Sequence, residues 1–295
     1  LADWVGRCSS LMEPLVEAVA RPALADAVVH GDDTPVSVLA PGAGKTKTGR
    51  LWVYMRDERP HVSKTPPAAF YRYSEDRKGE HRQAHLKSLK GVLQADGYAG
   101  FNERYELGSI LEAACRAYAR KKFFDNCVTG KSEIAEEALR RIGDLYAVEE
   151  AIYGRPPDER LGARQTRSAP IFSSFRPWLE ARREELSRKS DLAKAICYAL
   201  SRCIELTRFL EDGRLAIDNN AAERAIRPLA LGRKNYLLAG SDSGGRRAAA
   251  IYSLVESAKL NNLDPEKYLR EVLARIADHP INRISDLLPR HINGA

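Results

Sequence analysis

The sequence lacks the features that mark several classes of protein. It has no run of about 18 consecutive apolar residues, the length that a membrane-spanning helix needs, and it does not begin with a basic stretch followed by an apolar core. Its five cysteines are never paired as Cys-x-x-Cys, and its six histidines show no metal-ligand spacing. We therefore expect a cytoplasmic protein with reduced cysteines and no zinc site.

Ordinary globular composition and clustered positive charge are what the sequence does have. Of its 295 residues, 44% are hydrophobic and 29% are charged, which is typical of a soluble folded protein. The formal net charge is only +7, but the basic residues are concentrated in residues 44–50 and 223–247. Because clustered cations bind phosphates, we expect these segments to contact a phosphate-bearing partner, through Lys45, Lys47, Arg50, Arg224, Arg227, Arg233 and Lys234.

Short extended segments dominate the pattern up to residue 96. An amphipathic helix is predicted over residues 1–20, ending near Pro22, and a polar helix over residues 78–89. Apolar or aromatic-rich runs predict strands at 27–30, 34–39, 50–55, 69–73 and 92–95. The first of these runs ends at Asp32 and the last at Asp96, so we expect both aspartates at strand ends.

Helical periodicity takes over from residue 109. It predicts helices over residues 111–124, 134–153 and 179–210, and later over 220–229 and 244–260. The segment 154–168, rich in Arg, Pro and Gly, is predicted to be a linker or mobile loop. Gly213 stands where the long helix would receive a C-cap. Two strand-end aspartates are thus separated from Glu223 by a large helical region.

Three carboxylates on separate elements suit a nuclease site. Cleavage and rejoining of phosphodiesters can use two divalent cations, and Mg²⁺ prefers a few carboxylate ligands and keeps its other positions for water and phosphate. Asp32, Asp96 and Glu223 have the order and element types of such a site. Each also has a structural interpretation: a solvated strand end, an Asp-Gly turn, and a capping-box variant formed by Asn220 and Glu223.

Longer motifs surround these acids. They are HGDDTPV at 30–36, KTKTGRLWVY at 45–54, LQADGYAGF at 93–101, DNNAAERAIRP at 218–228 and GRKN at 232–235. Together they closely resemble the transposases of the bacterial insertion-sequence 66 family, and the resemblance extends over nearly the whole chain.

The resemblance implies an α/β fold with a ribonuclease H-like mixed sheet, interrupted by a large all-helical insertion between the second Asp and the Glu. It implies an Asp-Asp-Glu triad at Asp32, Asp96 and Glu223 that holds two Mg²⁺ or Mn²⁺ ions. DNA ends and target DNA would be the partners, with a homo-oligomer on DNA and accessory proteins of the same element. The expected domains are the end of an upstream region at 1–24, catalytic parts at 25–108 and 213–295, and the insertion at 109–212.

Some positions leave alternatives open. Asp33 stands where the family usually has Glu, and Tyr118 replaces a histidine of the family pattern, so a catalytically decayed or repurposed DNA-binding relative is the alternative to an active transposase. A ribonuclease or junction nuclease of similar fold would have no reason to carry these motifs. The segment 42–46 is similar to a nucleotide-binding P-loop, but Leu39 stands where that motif needs its first glycine, so we expect a basic hairpin loop.

Overall fold

A computed structural model describes residues 2–24, 27–95, 110–130, 132–235 and 238–292. Its centre is a sheet of five strands in the order β3-β2-β1-β4-β5. β1, β2 and β3 form an antiparallel meander, whereas β4 and β5 run parallel to β1. The strands are β1 (Ala27–Val38), β2 (Lys47–Arg56), β3 (Ala68–Ser74), β4 (Gly91–Ala95) and β5 (Ile110–Ala114).

Helices surround this sheet and fill the region between β5 and residue 213. They are α1 (Ala2–Ala23), α2 (Gly79–His85), α3 (Arg116–Gly130), α4 (Glu133–Ala151), α5 (Pro157–Ala163), α6 (Ala169–Glu184), α7 (Asp191–Ser201), α8 (Cys203–Thr207), α9 (Asn220–Asn235), α10 (Asp242–Leu260) and α11 (Pro265–Arg275). A π-helical turn joins α5 to α6, and short 3-10 turns follow β2, α8 and α11. No helix in the described part of the chain combines the length and apolarity required to cross a bilayer.

The two faces of the sheet pack against different helices because side chains alternate along a strand. Val29 and Trp52 belong to a core shared with α1 and α11. Val38 and Val53, on the opposite face, belong to a core shared with α9. The β1–β2 hairpin contains the predicted basic loop, where Gly42 has a φ of 83° that favours glycine.

Helix α10 covers the outer edge of the sheet. The hydroxyl of Ser253 accepts a hydrogen bond from the backbone N–H of Tyr71 at 2.9 Å. The hydroxyl of Ser257 accepts from the N–H of Ala69 at 3.1 Å and donates to its carbonyl at 3.0 Å. Backbone groups of the edge strand β3 are therefore satisfied by side chains of a helix.

The helical region has a core of its own and joins the sheet through a second cluster. Phe123, Ile142 and Phe175 lie in the first core, together with residues of α7. The second cluster brings Val28 of β1 and Leu145 of α4 together with residues of β4, β5 and the 209–217 segment. The helical region thus packs on the same side of β1 as Val28.

The strands predicted at 50–55, 69–73 and 92–95 are confirmed, as are the helices predicted at 134–153, 220–229 and 244–260, with shifted ends. The helix predicted over 78–89 is shorter and covers only α2.

The prediction of a helix over residues 111–124 was wrong at its beginning. Residues 110–114 form β5, which pairs with β4, so the all-helical stretch begins at Arg116 rather than at residue 109. A run of five largely buried residues is too short for periodicity to separate a buried strand from a helix.

The long helix predicted over residues 179–210 is instead divided into parts of α6, α7 and α8 and a 3-10 turn. Ser190 begins α7 because its hydroxyl accepts the N–H of Ala193 at 3.1 Å.

The predicted mobile loop at 154–168 is also wrong, since most of it forms α5 and the π-helical turn. Its arginines include Arg160 and Arg164, which are buried and paired with Glu149. The Arg-rich composition, which is typical of a loop, here reflects arginines that form a buried ion-pair network with Glu149.

Candidate functional site

Asp32 lies in the middle of β1 and not at a strand end, as the sequence had suggested. The strand continues because residues 30–38 pair with β2, and Asp32 lies opposite Val53. Val53 packs in the core shared with α9, so alternation places Asp32 on the face of the sheet that α9 covers. The pairing of β1 with β4, by contrast, ends at His30 and Gln94.

Asp33 is directed to the opposite face and is held by two arginines. Its carboxylate accepts hydrogen bonds from Arg50 at 3.0 Å and from Arg77 at 2.7 Å, and its side chain is only 6% exposed. The carboxylate of Asp32 in turn accepts the backbone N–H of Asp33 at 2.7 Å. Of the two adjacent acids, Asp33 therefore serves an internal ion-pair cluster and Asp32 faces the helix that carries Glu223.

Glu223 lies in the first turn of α9 and is exposed. Its Oε1 lies 3.9 Å from the Sγ of Cys115, which directly follows β5. Its backbone N–H bonds to the carbonyl of Asn219, and the side chain of Asn220 donates to Asp218 at 2.7 Å. Within the described residues Asn220 thus contacts Asp218 rather than forming the capping box considered above.

Asn219 connects the start of α9 to two strands. Its Oδ1 lies 3.0 Å from Nδ1 of His30, and its Nδ2 donates to the carbonyl of Gly31 at 2.9 Å. Its backbone N–H donates to the Sγ of Cys115 at 3.2 Å. The residue is 1% exposed. Since β1 and β5 flank β4, this single residue spans the end of the strand that leads to Asp96.

Gln94 of β4 also binds the segment that leads into α9, at Ala216 and Asp218. Its Nε2 donates to the carbonyls of Ala216 at 2.7 Å and Asp218 at 3.1 Å, and its Oε1 accepts the N–H of Ala216 at 3.0 Å. Gln94 is fully buried. The segment before α9 is therefore bound to β1 by the side chain of Asn219 and to β4 by the side chain of Gln94. The backbone N–H of Asn219 adds the contact to Cys115, directly after β5.

Asp96 lies outside the described residues. Its chain neighbour Ala95 is the last residue of β4, and the carbonyl of Ala95 accepts the N–H of Cys115 at 3.0 Å. Among the described residues no group of three or more His, Cys, Asp and Glu side chains could hold a metal ion. The described carboxylates of the expected triad are those of Asp32 and Glu223.

Burial keeps the groups beside these acids neutral. It lowers the pKa of His30, although the hydrogen bond to Asn219 opposes the shift. It raises the pKa of the Cys115 thiol to about 12, so the thiol remains protonated and can donate toward Glu223. His30 and Cys115 therefore add no negative charge to that of the neighbouring carboxylates, Asp32 and Glu223.

The predicted DNA contacts divide into two groups. Lys47 pairs with Asp242 at 2.7 Å, Arg50 pairs with Asp33, and Arg233 donates to the carbonyl of Pro35 at 2.8 Å. The other four are exposed and form no ion pair with the described residues: Lys45, Arg224, Arg227 and Lys234. We expect phosphate contacts first from the second group, because these side chains are exposed and no described carboxylate pairs with them.

Tyr118 lies three residues after Cys115 on α3 and is partly exposed. Its ring meets that of Tyr198 edge-on at 5.4 Å between centroids, and the Lys122 ammonium lies 4.7 Å from the Tyr118 centroid. The tyrosine thus packs against α7 and Lys122 in a small aromatic and cationic cluster.

Comparison with known proteins gives the class. Residues 1–247 match the family described as "Transposase IS66 family", and residues 253–289 match the "IS66 C-terminal element". The chain belongs to the IS66 transposase family.

Relatives from Sinorhizobium fredii (strain NBRC 101917 / NGR234) align with 98% of the chain. "Uncharacterized protein y4hP" is 42% identical and "Uncharacterized protein y4qI" is 37% identical. The chain spans 55% of the length of each of these relatives. No solved structure matches.

Sequence reasoning missed the buried residues that organise this site. Gln94 is a polar residue inside an apolar strand, and Asn219 stands between two other polar residues just before a helix. A buried amide needs hydrogen-bond partners, so a lone polar residue in an apolar run is the signal that could have indicated Gln94. The sequence holds no comparable signal for the contacts of Asn219.

Proposed function

We propose that this chain is the catalytic part of a DNA transposase that cleaves and rejoins DNA through Asp32, Asp96 and Glu223. The observation that carries the proposal is the attachment of the first turn of α9 to β1 beside Asp32, across the end of β4. Asp32 and Glu223 thereby belong to two elements, β1 and α9, that are attached to each other beside the carboxyl end of β4.

The sheet register supports the inclusion of Asp96. Each β1 residue in the parallel ladder pairs with the β4 residue 64 positions later, as His30 does with Gln94. The same separation relates Asp32 to Asp96 in the sequence. The described ladder ends at His30 and Gln94, and the equal offset in the sequence supports including both aspartates in the proposed site.

The topology accords with a ribonuclease H-like domain. An antiparallel meander of three strands extended by parallel strands on the β1 side is the arrangement that this fold class uses, and α9 covers the face on which Asp32 lies. We assign the helical stretch between β5 and α9 to the insertion that the family resemblance implies.

The donor set suits hard divalent cations. Asp32 and Glu223 offer carboxylate oxygens, and the neighbouring His30 and Cys115 are engaged with Asn219. Such a site fits Mg²⁺ or Mn²⁺ better than zinc, because the soft donors are occupied or protonated. When bound, two such ions would activate the attacking oxygen and stabilise the leaving one.

The exposed cations complete the proposal. Arg224 and Arg227 lie on α9 one and four residues after Glu223, so they follow the acid on the same helix. Lys45 lies in the β1–β2 hairpin, and Lys234 lies in the last turn of α9. These residues would neutralise phosphates on either side of the cut. A homo-oligomer assembled on DNA and accessory proteins of the same element belong to the same proposal.

The decisive experiment is strand cleavage of a duplex that carries the terminal inverted repeat of the element, with Mg²⁺ or Mn²⁺. We expect cleavage by the protein and none by Asp32→Asn, Asp96→Ala or Glu223→Gln. The matched control is Asp33→Asn, which removes the adjacent acid from the opposite face and should retain cleavage while lowering the melting temperature.

A catalytically decayed or repurposed DNA-binding relative would give a different result. It would bind the same duplex with a salt-dependent affinity yet leave it intact with either metal ion. Equal cleavage by the protein and its Asp32→Asn variant would point to a contaminating nuclease and remove the support for the triad.

A further inference from the structure

We propose that Gln94 and Asn219 form an amide clamp, defined as these two side chains, that positions Glu223 relative to Asp32. This inference rests on the proposed function. Both residues are buried, at 0% and 1% exposure, and neither belongs to the expected triad. They act as positioning residues because their contacts are to the backbone that carries the acids.

Asn219 contacts the chain beside both acids. Its side chain donates to the carbonyl of Gly31, the residue before Asp32, at 2.9 Å. Its own carbonyl accepts the N–H of Glu223 at 3.2 Å. One residue therefore fixes both the strand position beside the first acid and the helical turn that presents the last one.

Gln94 fixes the approach to this residue. Its carboxamide both accepts from and donates to Ala216, and it also donates to the carbonyl of Asp218, which directly precedes Asn219. Gln94 itself is two positions before Asp96 in the sequence. The clamp is thus anchored on β1, which contains Asp32, and on β4, which ends one residue before Asp96 in the sequence.

The contacts at positions 94 and 219 require a side-chain amide, which can donate and accept hydrogen bonds at the same time. Each of the two side chains uses a donor and an acceptor at once, which a carboxylate cannot do because it only accepts. A carboxylate at either position would face the carbonyl of Gly31 or Ala216 and add charge beside Asp32 and Glu223. A hydrocarbon would leave buried backbone carbonyls without donors.

The test compares clamp variants with a control amide. Asn219→Ala and Gln94→Met remove the clamp contacts, and Asn219→Asp and Gln94→Glu keep the shape in case the first pair folds poorly. The control is Asn261→Ala, whose side-chain amide also donates to two backbone carbonyls, those of Pro67 at 3.0 Å and Ser257 at 2.7 Å, at the end of α10.

Cleavage of the terminal-repeat duplex with Mn²⁺ is the first readout. We expect kcat to fall roughly 10- to 100-fold in the clamp variants, as for residues that orient metal ligands, with DNA affinity in EDTA unchanged within about threefold. Asn261→Ala should retain kcat within about threefold, even if its melting temperature falls by as much as that of the clamp variants. Clamp variants that cleave like the parent protein would overturn the proposal.

Hydrogen exchange of residues 219–226 in the metal-free protein without DNA is the second readout, and it does not depend on activity. We expect at least about tenfold faster exchange in the clamp variants and no change in Asn261→Ala. Unchanged exchange in the clamp variants overturns the clamp. Faster exchange in a protein that never cleaves the duplex supports the clamp and contradicts the proposed function.

Discussion

Replacement of Arg164 by Met should cost this fold a large part of its stability. The Arg164 side chain is 0% exposed and pairs with Glu149 through two hydrogen bonds, of 2.7 and 2.6 Å. It also donates to the carbonyls of Phe209, Asp212 and Leu215 at 2.8–2.9 Å. A single guanidinium therefore joins α4 to the chain segment that leads to α9.

The magnitude follows from what the variant leaves behind. Of its ion pairs with described residues, the Glu149 carboxylate would keep the one with Arg160, at 3.3 Å, and three backbone carbonyls would lose a donor. Breaking a buried ion pair by removing one partner costs about 3–5 kcal/mol, so we expect a loss of about that size in the free energy of unfolding. Arg160 reduces the unpaired charge, which favours the lower half of that range.

Urea unfolding followed by circular dichroism measures this loss through the midpoint at constant m-value. The control is Arg140→Met, which removes an arginine paired with Glu137 and Asp144 on an exposed helix face and should shift the midpoint little. A loss below about 1 kcal/mol for Arg164→Met would refute the reasoning.

Three further outcomes are expected. Burial lowers the pKa of His85 from 6.5 to about 3, so the unfolded chain takes up a proton that the folded protein does not as the pH falls below 6.5. The free energy of unfolding should therefore decrease by up to about 1.4 kcal/mol per pH unit, and His85→Asn should flatten this slope in urea titrations from pH 7 to 5. Gly213→Ala would place a Cβ 1.8 Å from the carbonyl oxygen of Pro157 and should lower the melting temperature by more than about 5 °C, whereas Gly143→Ala, with open space around it on α4, should leave it equal or higher. Arg224→Ala should reduce the slope of log affinity against log salt for duplex DNA by about one, and an unchanged slope would remove Arg224 from the phosphate contacts.

The elements that the sequence predicted well are those with a clear periodicity. β2 and β3 are runs of aromatic and aliphatic residues that are buried on both faces of the sheet. α4 keeps a regular apolar stripe, and α10 has buried positions at helical spacing that are mostly small residues. Strand β5 was missed because its five residues carry no period that distinguishes it from the start of α3. Gly213 was predicted as a helix C-cap, but it does not have the positive φ of such a cap. A glycine is needed there because a Cβ would collide with the carbonyl oxygen of Pro157.

The site was predicted residue by residue from motifs, and only part of its arrangement was available from the sequence. The motifs singled out Asp32 and Glu223 as candidates, but the opposite orientations of Asp32 and Asp33 depend on strand pairing, which is a long-range property. Which cations remain exposed also required the fold, since Lys47 finds Asp242 nearly two hundred residues away. Local patterns contain no record of such distant partners.

The serine contacts of α10 on β3 also affect how this protein meets other chains. An uncovered outer strand offers a row of backbone donors and acceptors to which a foreign strand can add, and such addition is a common route to aggregation. Here Ser253 and Ser257 already use the groups of Tyr71 and Ala69. A second copy of this chain would therefore find these backbone groups of β3 already occupied.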